Sequence, residues 1–415
     1  EEKFYPYMKR FWPKIAERGK VSIFDTSWYR KVLGERFENQ MSKGEVAKAY
    51  HTIQNFEKEL TDDGMVIIKL FLYISKREQK KRFEKLTSSR ESEWRVTGND
   101  WRRNEEYDAY LQVNEEMLAK TDTDFAPWTI VEATDKRYAA VKIYKTVIKA
   151  LEAAVERKPE EEEKASELDE KPVESVLNKA DLSLSYTREE YEKKKKKLQK
   201  ELTKLHGELY RRRIPMILGF EGWDAGGKGG AIKRLTQALD PRGYVVIPTA
   251  APNDWEKKHH YLWRFWIKMP KKGHITIFDR TWYGRVMVER IEGFCTKQEW
   301  KRAYKEMNDM EEQLADSGAI VMKFWMQIDK DEQERRFKER QANPAKQWKI
   351  TDEDWRNREK WDLYERAVEE MLVKTSTPSA PWIIVEGNDK YYARIKVLET
   401  VVEAIRRRLS EEKEK

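Results

Sequence analysis

The chain has 415 residues, 83 Lys and Arg against 75 Asp and Glu, a formal charge of +8 and a single cysteine, Cys295. That length can bury two cores, and one cysteine excludes an internal disulfide framework and fits a reducing, cytoplasmic setting. No apolar run is long enough to cross a bilayer and no secretory signal is visible, so a membrane partner is not expected; a phosphate-rich substrate or nucleic acid would suit the basic charge.

The first feature along the chain is one half of a duplication. Asp25-Thr26-Ser27-Trp28-Tyr29 returns as Asp279-Arg280-Thr281-Trp282-Tyr283. Glu35-Arg36 returns as Glu289-Arg290, Asp100-Trp101-Arg102 as Asp354-Trp355-Arg356, and Ala126-Pro127-Trp128 as Ala380-Pro381-Trp382. Every pair is 254 positions apart, without a gap over about 130 residues, which means two copies of a domain rather than a solenoid. Residues 1–154 form the first copy. Tyr7, Arg10, Phe11 and Trp12 correspond to Tyr261, Arg264, Phe265 and Trp266, so this copy begins near the equivalent of Trp255. It lacks the phosphate-loop segment found in the second copy. Because such a domain would expose the side of a parallel sheet, and because the chain opens on Glu1, residues are expected to precede it. Residues 155–186, with acidic runs from Glu160 to Glu163 and Glu167 to Glu170, read as a linker.

The second copy, 187–415, opens on a helix with a capping box, Thr187 and Glu190. Its lysines, Lys193 to Lys197, read as a solvated face. An apolar strand over 214–220 follows, then Gly222-Trp223-Asp224-Ala225-Gly226-Gly227-Lys228-Gly229, then a helix over 231–239. A glycine-rich turn between strand and helix aims backbone N–H groups and a helix N-terminus at one point, which binds phosphate. The alternative is an ordinary turn with an incidental lysine, and the strand before and helix after argue against it. Gly222, Gly226, Gly227, Lys228 and Gly229 are the candidate phosphate cradle. Gly229 stands where the usual pattern has a Ser or Thr ligand for magnesium, and Asp224 can supply an oxygen instead.

Further strands are expected over 244–248, 275–279, 320–328 and 382–386, each apolar on both faces as in a covered parallel sheet. Ligands bind beyond the carboxyl ends of such strands. Three places qualify besides the loop. Asp279 at the third strand's end can hold a metal, or merely cap a helix, and Arg280 beside it can clamp phosphate. Ala250 to Asp254, with Asn253 and later Arg264, leaves room for an acceptor, although Pro252 suits a plain turn. The segment after the fourth strand carries Arg335, Arg336, Lys338, Arg340, Lys346, Lys349, Arg356 and Arg358. Interleaved acids make part of it a solvated face, yet a helical hairpin there would be a lid that excludes water. Cys295 has no His partner in sequence and reads as a bystander.

The phosphate loop, Phe278-Asp279-Arg280 with Trp282-Tyr283-Gly284, and Asp354-Trp355-Arg356 with Trp361-Asp362 together resemble the polyphosphate kinase 2 family. The resemblance implies an α/β fold with two tandem P-loop kinase-like domains, each a five-stranded parallel sheet flanked by helices with a helical lid. The tandem layout is similar to the family's two-domain branch, the polyphosphate:AMP phosphotransferases. It implies transfer of the terminal phosphoryl group of polyphosphate to AMP, giving ADP. Carried over residue by residue, Asp224, Lys228, Asp279, Arg280 and Arg340 are the expected catalytic set, with Asp224 and Asp279 holding magnesium or manganese. Asn253, Arg264, Arg285, Arg335, Arg336, Lys346, Arg356 and Arg358 are the expected nucleotide and polyphosphate contacts. Two other readings are an ATP-dependent nucleoside monophosphate kinase and a non-catalytic RNA-binding protein; most tryptophans sit at apolar positions, which disfavours the latter, and no nucleic-acid partner is expected. Thr26, Leu86 and Asn104 stand where the second copy has Arg280, Arg340 and Arg358. The first copy is therefore expected to be structural, packed as an internal pseudo-dimer, with a further homo-oligomer as an option.

Overall fold

The computed structural model describes residues 2–37, 41–157 and 175–411; the acidic runs of the expected linker lie outside them. By internal contacts the chain divides into two units, Arg18–Glu161 and Glu1–Glu17 with Glu162–Lys415. The opening residues of the first repeat thus belong to the second unit. No helix among the described residues is long and apolar enough to cross a membrane.

The smaller unit runs α1 (Arg30–Phe37), α2 (Lys43–Asp62), β1 (Lys69–Tyr73), α3 (Lys76–Thr87), α4 (Gly98–Glu105), α5 (Tyr107–Thr121), β2 (Trp128–Glu132) and α6 (Lys136–Glu156). Its strands pair in parallel from Lys69 with Trp128 to Tyr73 with Glu132. Here the first copy departs from the expectation of five strands: the described residues of this unit form a two-stranded sheet. Val21 to Phe24, the counterpart of a strand in the second copy, is not a strand, and Val21 and Ile23 are exposed. A strand exists only when a neighbour takes its backbone N–H and C=O groups, and no such neighbour is described for this segment.

The larger unit continues with α7 (Arg188–Arg212), β3 (Met216–Gly222), α8 (Lys228–Thr236), β4 (Tyr244–Pro248), α9 (Trp263–Trp266), β5 (Ile275–Asp279), α10 (Val288–Ile291), α11 (Lys297–Asp316), β6 (Ile320–Gln327), α12 (Lys330–Gln341), α13 (Asp352–Glu359), α14 (Trp361–Thr375), β7 (Trp382–Glu386) and α15 (Lys390–Glu411). All five expected strands are present, in the order β4-β5-β3-β6-β7 with every neighbour parallel. On one face Met216, Leu218 and Phe220 of β3 pack with Leu202 and Leu209 of α7, Leu235 of α8, and Val397, Val401 and Ile405 of α15. On the other, Phe278 meets Phe265 and Trp282 edge to face. Burial of both faces explains why β3, β5 and β6 read as continuous apolar runs. The first residues of the chain join this unit: Trp12 stacks on Trp266, its own repeat counterpart, with ring centroids 5.8 Å apart.

The duplication extends to a buried ionic knot. In the larger unit Lys323 Nζ donates to Glu311 Oε2 (2.6 Å), Tyr283 OH (2.8 Å) and Thr375 O (2.7 Å), while Trp282 Nε1 and Tyr283 OH donate to Glu311 Oε1. In the smaller unit Lys69, Glu57, Tyr29, Thr121 and Trp28 repeat each bond. A buried charge is tolerated only when paired and fully bonded, and both copies meet that condition with the same residues.

Candidate phosphoryl-transfer site

The site sits at the carboxyl ends of β3 and β5. Trp223 to Gly227 link β3 to α8, whose first residue is Lys228, three earlier than the sequence pattern placed the helix. Gly222 has φ +147°, and a Cβ there would stand 2.6 Å from the Met326 carbonyl; at Gly226 it would stand 2.8 Å from that of Trp223. Only glycine lets the loop lie this close to β6. Gly229 differs, since a Cβ there would meet nothing within 4 Å. Packing therefore does not dictate the missing hydroxyl.

Asp224, Lys228, Asp279 and Arg280 come together as the sequence suggested. Arg280 Nη2 donates to Asp224 Oδ1 at 3.2 Å. Lys228 Nζ donates to the Gly222 carbonyl at 2.6 Å, and burial lowers its pKa, opposed by Asp224, Glu221 and Asp279. Arg280 has φ +67°, as does its counterpart Thr26 at +65°. Such a conformation costs of order 1–3 kcal/mol for a non-glycine residue and needs support. The support comes from Glu221, whose Oε1 accepts from Thr281 N–H (2.6 Å) and Thr281 Oγ1 (2.8 Å), and from the Phe220 carbonyl, which accepts the Arg280 N–H (3.0 Å). Burial pushes the Glu221 carboxyl above its ordinary range, against the pull of Lys228. Sequence reasoning missed Glu221, although an acid in an apolar strand one residue before the loop is a visible signal.

The lid is a hairpin of α12 and α13, pinned by Phe337 against Trp355 edge to face. It binds the loop directly. Asn357 Nδ2 donates to Asp224 Oδ2 (3.2 Å) and Gln333 Nε2 to the Asp224 carbonyl (3.1 Å). Trp361, just after the hairpin, stacks on Trp223 at 3.7 Å between centroids. None of these partners was anticipated, because the contacts join residues more than a hundred positions apart in sequence.

Several expected substrate contacts are used differently. Arg336 is buried, and its guanidinium donates to Glu332, to the Ala225 carbonyl (2.8 Å) and to those of Gly387 (2.6 Å) and Asn388 (3.1 Å). It braces the loop from behind. Arg358 is bonded to the Lys330 carbonyl (2.6 Å), Gln333 and Glu334. Its counterpart Asn104 bonds the equivalent Lys76 carbonyl (3.1 Å) and Gln79 (2.8 Å), so the position is a tie within the lid in both copies. Arg335 is paired with Glu332 and Glu339, and Arg285 with Glu289 and Glu299. Arg264 pairs with Glu256, and Asn253 caps the short turn that contains Glu256. Lys346 and Arg356 are exposed on the lid, where half-buried Arg340 donates to the Lys349 carbonyl (3.2 Å). Cys295 is buried, and burial raises its thiol to a pKa of about 11.

The pattern of the polyphosphate kinase 2 family matches residues 1–159 and again 185–413. The chain belongs to the polyphosphate kinase 2 family. It is 42% identical over 414 residues to a polyphosphate:AMP phosphotransferase of Pseudomonas aeruginosa, covering 98% of this chain and 82% of that one. A protein of the same name from Pseudomonas syringae pv. tomato is 40% identical, covering 100% and 84%. A crystal structure of a polyphosphate kinase 2 from Pseudomonas aeruginosa PA01 superposes with a TM-score of 0.86 at 40% identity, over 99% of this chain and 82% of that one.

No group of three or more Cys, His, Asp or Glu is arranged around one point among the described residues. The carboxylates of Asp224 and Asp279 are the oxygen donors near the loop that could hold a magnesium ion shared with a phosphate substrate. Such an ion takes one or two carboxylates and fills its other positions with water and phosphate oxygens.

Proposed function

We propose that this polyphosphate kinase 2 transfers the terminal phosphoryl group of polyphosphate to AMP. An α-phosphate oxygen of AMP forms a new bond to phosphorus, the bond to the penultimate phosphate breaks, and ADP and a chain one unit shorter remain. The observation that carries this reading is the acid inside the loop, Asp224, bonded to Arg280 at the end of β5, in a chain whose near-full-length relatives bear that activity as their name.

Phosphoryl transfer asks the protein for alignment and charge neutralisation. Lys228 and the loop N–H groups hold the oxygens of the transferred group. Arg280, and Arg340 from the lid, offset charge that builds up in the transition state. Asp224 orients the attacking oxygen and, with Asp279, holds magnesium, which neutralises phosphate charge when bound. The lid over the loop keeps water from competing as acceptor. A single cysteine fits work in a reducing compartment such as the cytoplasm.

Incubation with AMP, polyphosphate and magnesium, without ATP, is expected to yield ADP. If ADP forms only when ATP is supplied, the protein is a nucleoside monophosphate kinase of ordinary donor use and this reading is wrong.

A further inference from the structure

We propose that the exposed lysine ladder of α7 is a docking track for the distal part of the polyphosphate chain. This rests on polyphosphate as the donor and adds a second region of contact outside the loop and lid.

Lys193, Lys197, Lys200 and Lys204 fall at i, i+4, i+7 and i+11, and Lys196 lies beside them; all five are exposed. Residues so spaced share one face of a helix. The opposite face, with Tyr191, Leu202 and Leu209, is buried in the core. Two neighbouring lysines are already committed, Lys194 to Glu399 at 3.2 Å and Lys195 to Glu192 at 2.6 Å. The ladder lysines have no carboxylate partner among the described residues. At a rise of about 1.5 Å per residue the ladder is roughly 16 Å long, and adjacent charges lie within one Debye length, about 10 Å at 0.1 M salt. Holding unpaired like charges so close costs free energy unless a polyanion neutralises them.

The ladder starts at the site end of the sheet. Tyr191 stacks on Tyr391 at 4.5 Å, and Tyr186 N–H points to Asp389, next to the Asn388 carbonyl that Arg336 holds together with the phosphate loop. From there α7 runs down beside α8, where Gln199 Nε2 donates to the Arg234 carbonyl at 2.7 Å. The ladder itself carries no aromatic residue on which a base could stack, unlike single-strand nucleic-acid tracks. Its helix has no apolar face left to enter a membrane, since that face is core. A bare polymer of phosphates needs neither.

The test uses the full chain with Lys193, Lys197, Lys200 and Lys204 changed to Gln, which keeps helix propensity. ADP formation from AMP is measured with long-chain and with short linear polyphosphate. The KM for the long chain is expected to rise about 5- to 10-fold and to lose part of its salt dependence, as counterion release predicts for a polyanion contact. The short-chain kcat and KM should stay within about twofold, because exposed lysines away from the loop add little there. Filter binding of long-chain polyphosphate, without AMP, should weaken in parallel. An unchanged long-chain KM, or an equal loss at both lengths, overturns the proposal. So does a loss confined to RNA binding or to sedimentation with anionic vesicles, which would assign the ladder to that ligand. If the unmodified protein makes no ADP with either polyphosphate, the donor reading fails, and filter binding still judges the ladder by itself.

Discussion

Asp224 stands between two donors, Arg280 at 3.2 Å on one oxygen and Asn357 at 3.2 Å on the other. A carboxylate so placed is oriented before any ligand arrives. Asp224→Asn keeps the shape and both neighbours but removes the charge, and it turns one acceptor oxygen into a donor facing Arg280 or Asn357. The variant is expected to fold normally and to lose turnover on the order of 100-fold or more, as for loss of a metal ligand or of a preorganised electrostatic group. Steady-state rates at saturating AMP and magnesium, with circular dichroism as the fold control, decide the matter; near-normal turnover would remove Asp224 from the chemistry. Full activity in excess chelator would likewise contradict the assignment of Asp224 and Asp279 to a hard divalent ion, since two carboxylates and phosphate oxygens are ligands suited to one.

At the level of elements, the phosphate loop, the lid and the end of β7 are tied by one guanidinium. Arg336 joins the Ala225, Gly387 and Asn388 carbonyls, and Arg82 makes the equivalent bonds to Ala133 (2.7 Å) and Thr134 (3.0 Å). Arg336→Lys keeps a charge but loses the fork that reaches three carbonyls. Turnover is expected to fall about tenfold or more through a misplaced loop, measured at saturating substrate. The buried knot gives a stability prediction. Lys323→Met leaves Glu311 buried and unpaired, which costs about 3–5 kcal/mol, whereas the double change with Glu311→Leu recovers most of it; the urea midpoint of the larger unit reports both. These elements also show what the sequence could tell. The strands of the second copy, the loop and the strand-end Asp279-Arg280 pair were legible because each is a local pattern of apolar period, glycine and charge. Arg336 and Arg358 looked like free cations on a charged helix because burial and partners come from the fold. Glu221 was legible in principle, as an acid inside an apolar strand. Val21 to Phe24 carries a strand-like sequence, but pairing is a property of its neighbours and not of the segment.

Taken as a whole, the molecule repeats its scaffold more faithfully than its chemistry. The ionic knot, the Arg82 and Arg336 braces and the Thr97 and Thr351 capping boxes recur. Even the left-handed turn at Thr26 matches that at Arg280. Beyond the missing loop segment and strands, the aligned site positions differ in their cations. Thr26 replaces Arg280 and Leu86 replaces Arg340, so two groups proposed to offset transition-state charge are neutral in the first copy. The third difference weighs less than its sequence suggests, because Asn104 reproduces the lid bonds of Arg358. Each missing arginine withdraws charge stabilisation of the kind that dominates phosphoryl transfer. We therefore expect the second copy to carry the reaction while the first keeps a structural role. The comparison that tests this is Asp25→Asn against Asp279→Asn in the full chain. Asp279→Asn should lower turnover on the order of 100-fold, as the loss of a metal-holding carboxylate does, and Asp25→Asn should leave it within about twofold, as expected for an isolated surface change. Equal losses in two well-folded variants would mean that the first copy is catalytic as well.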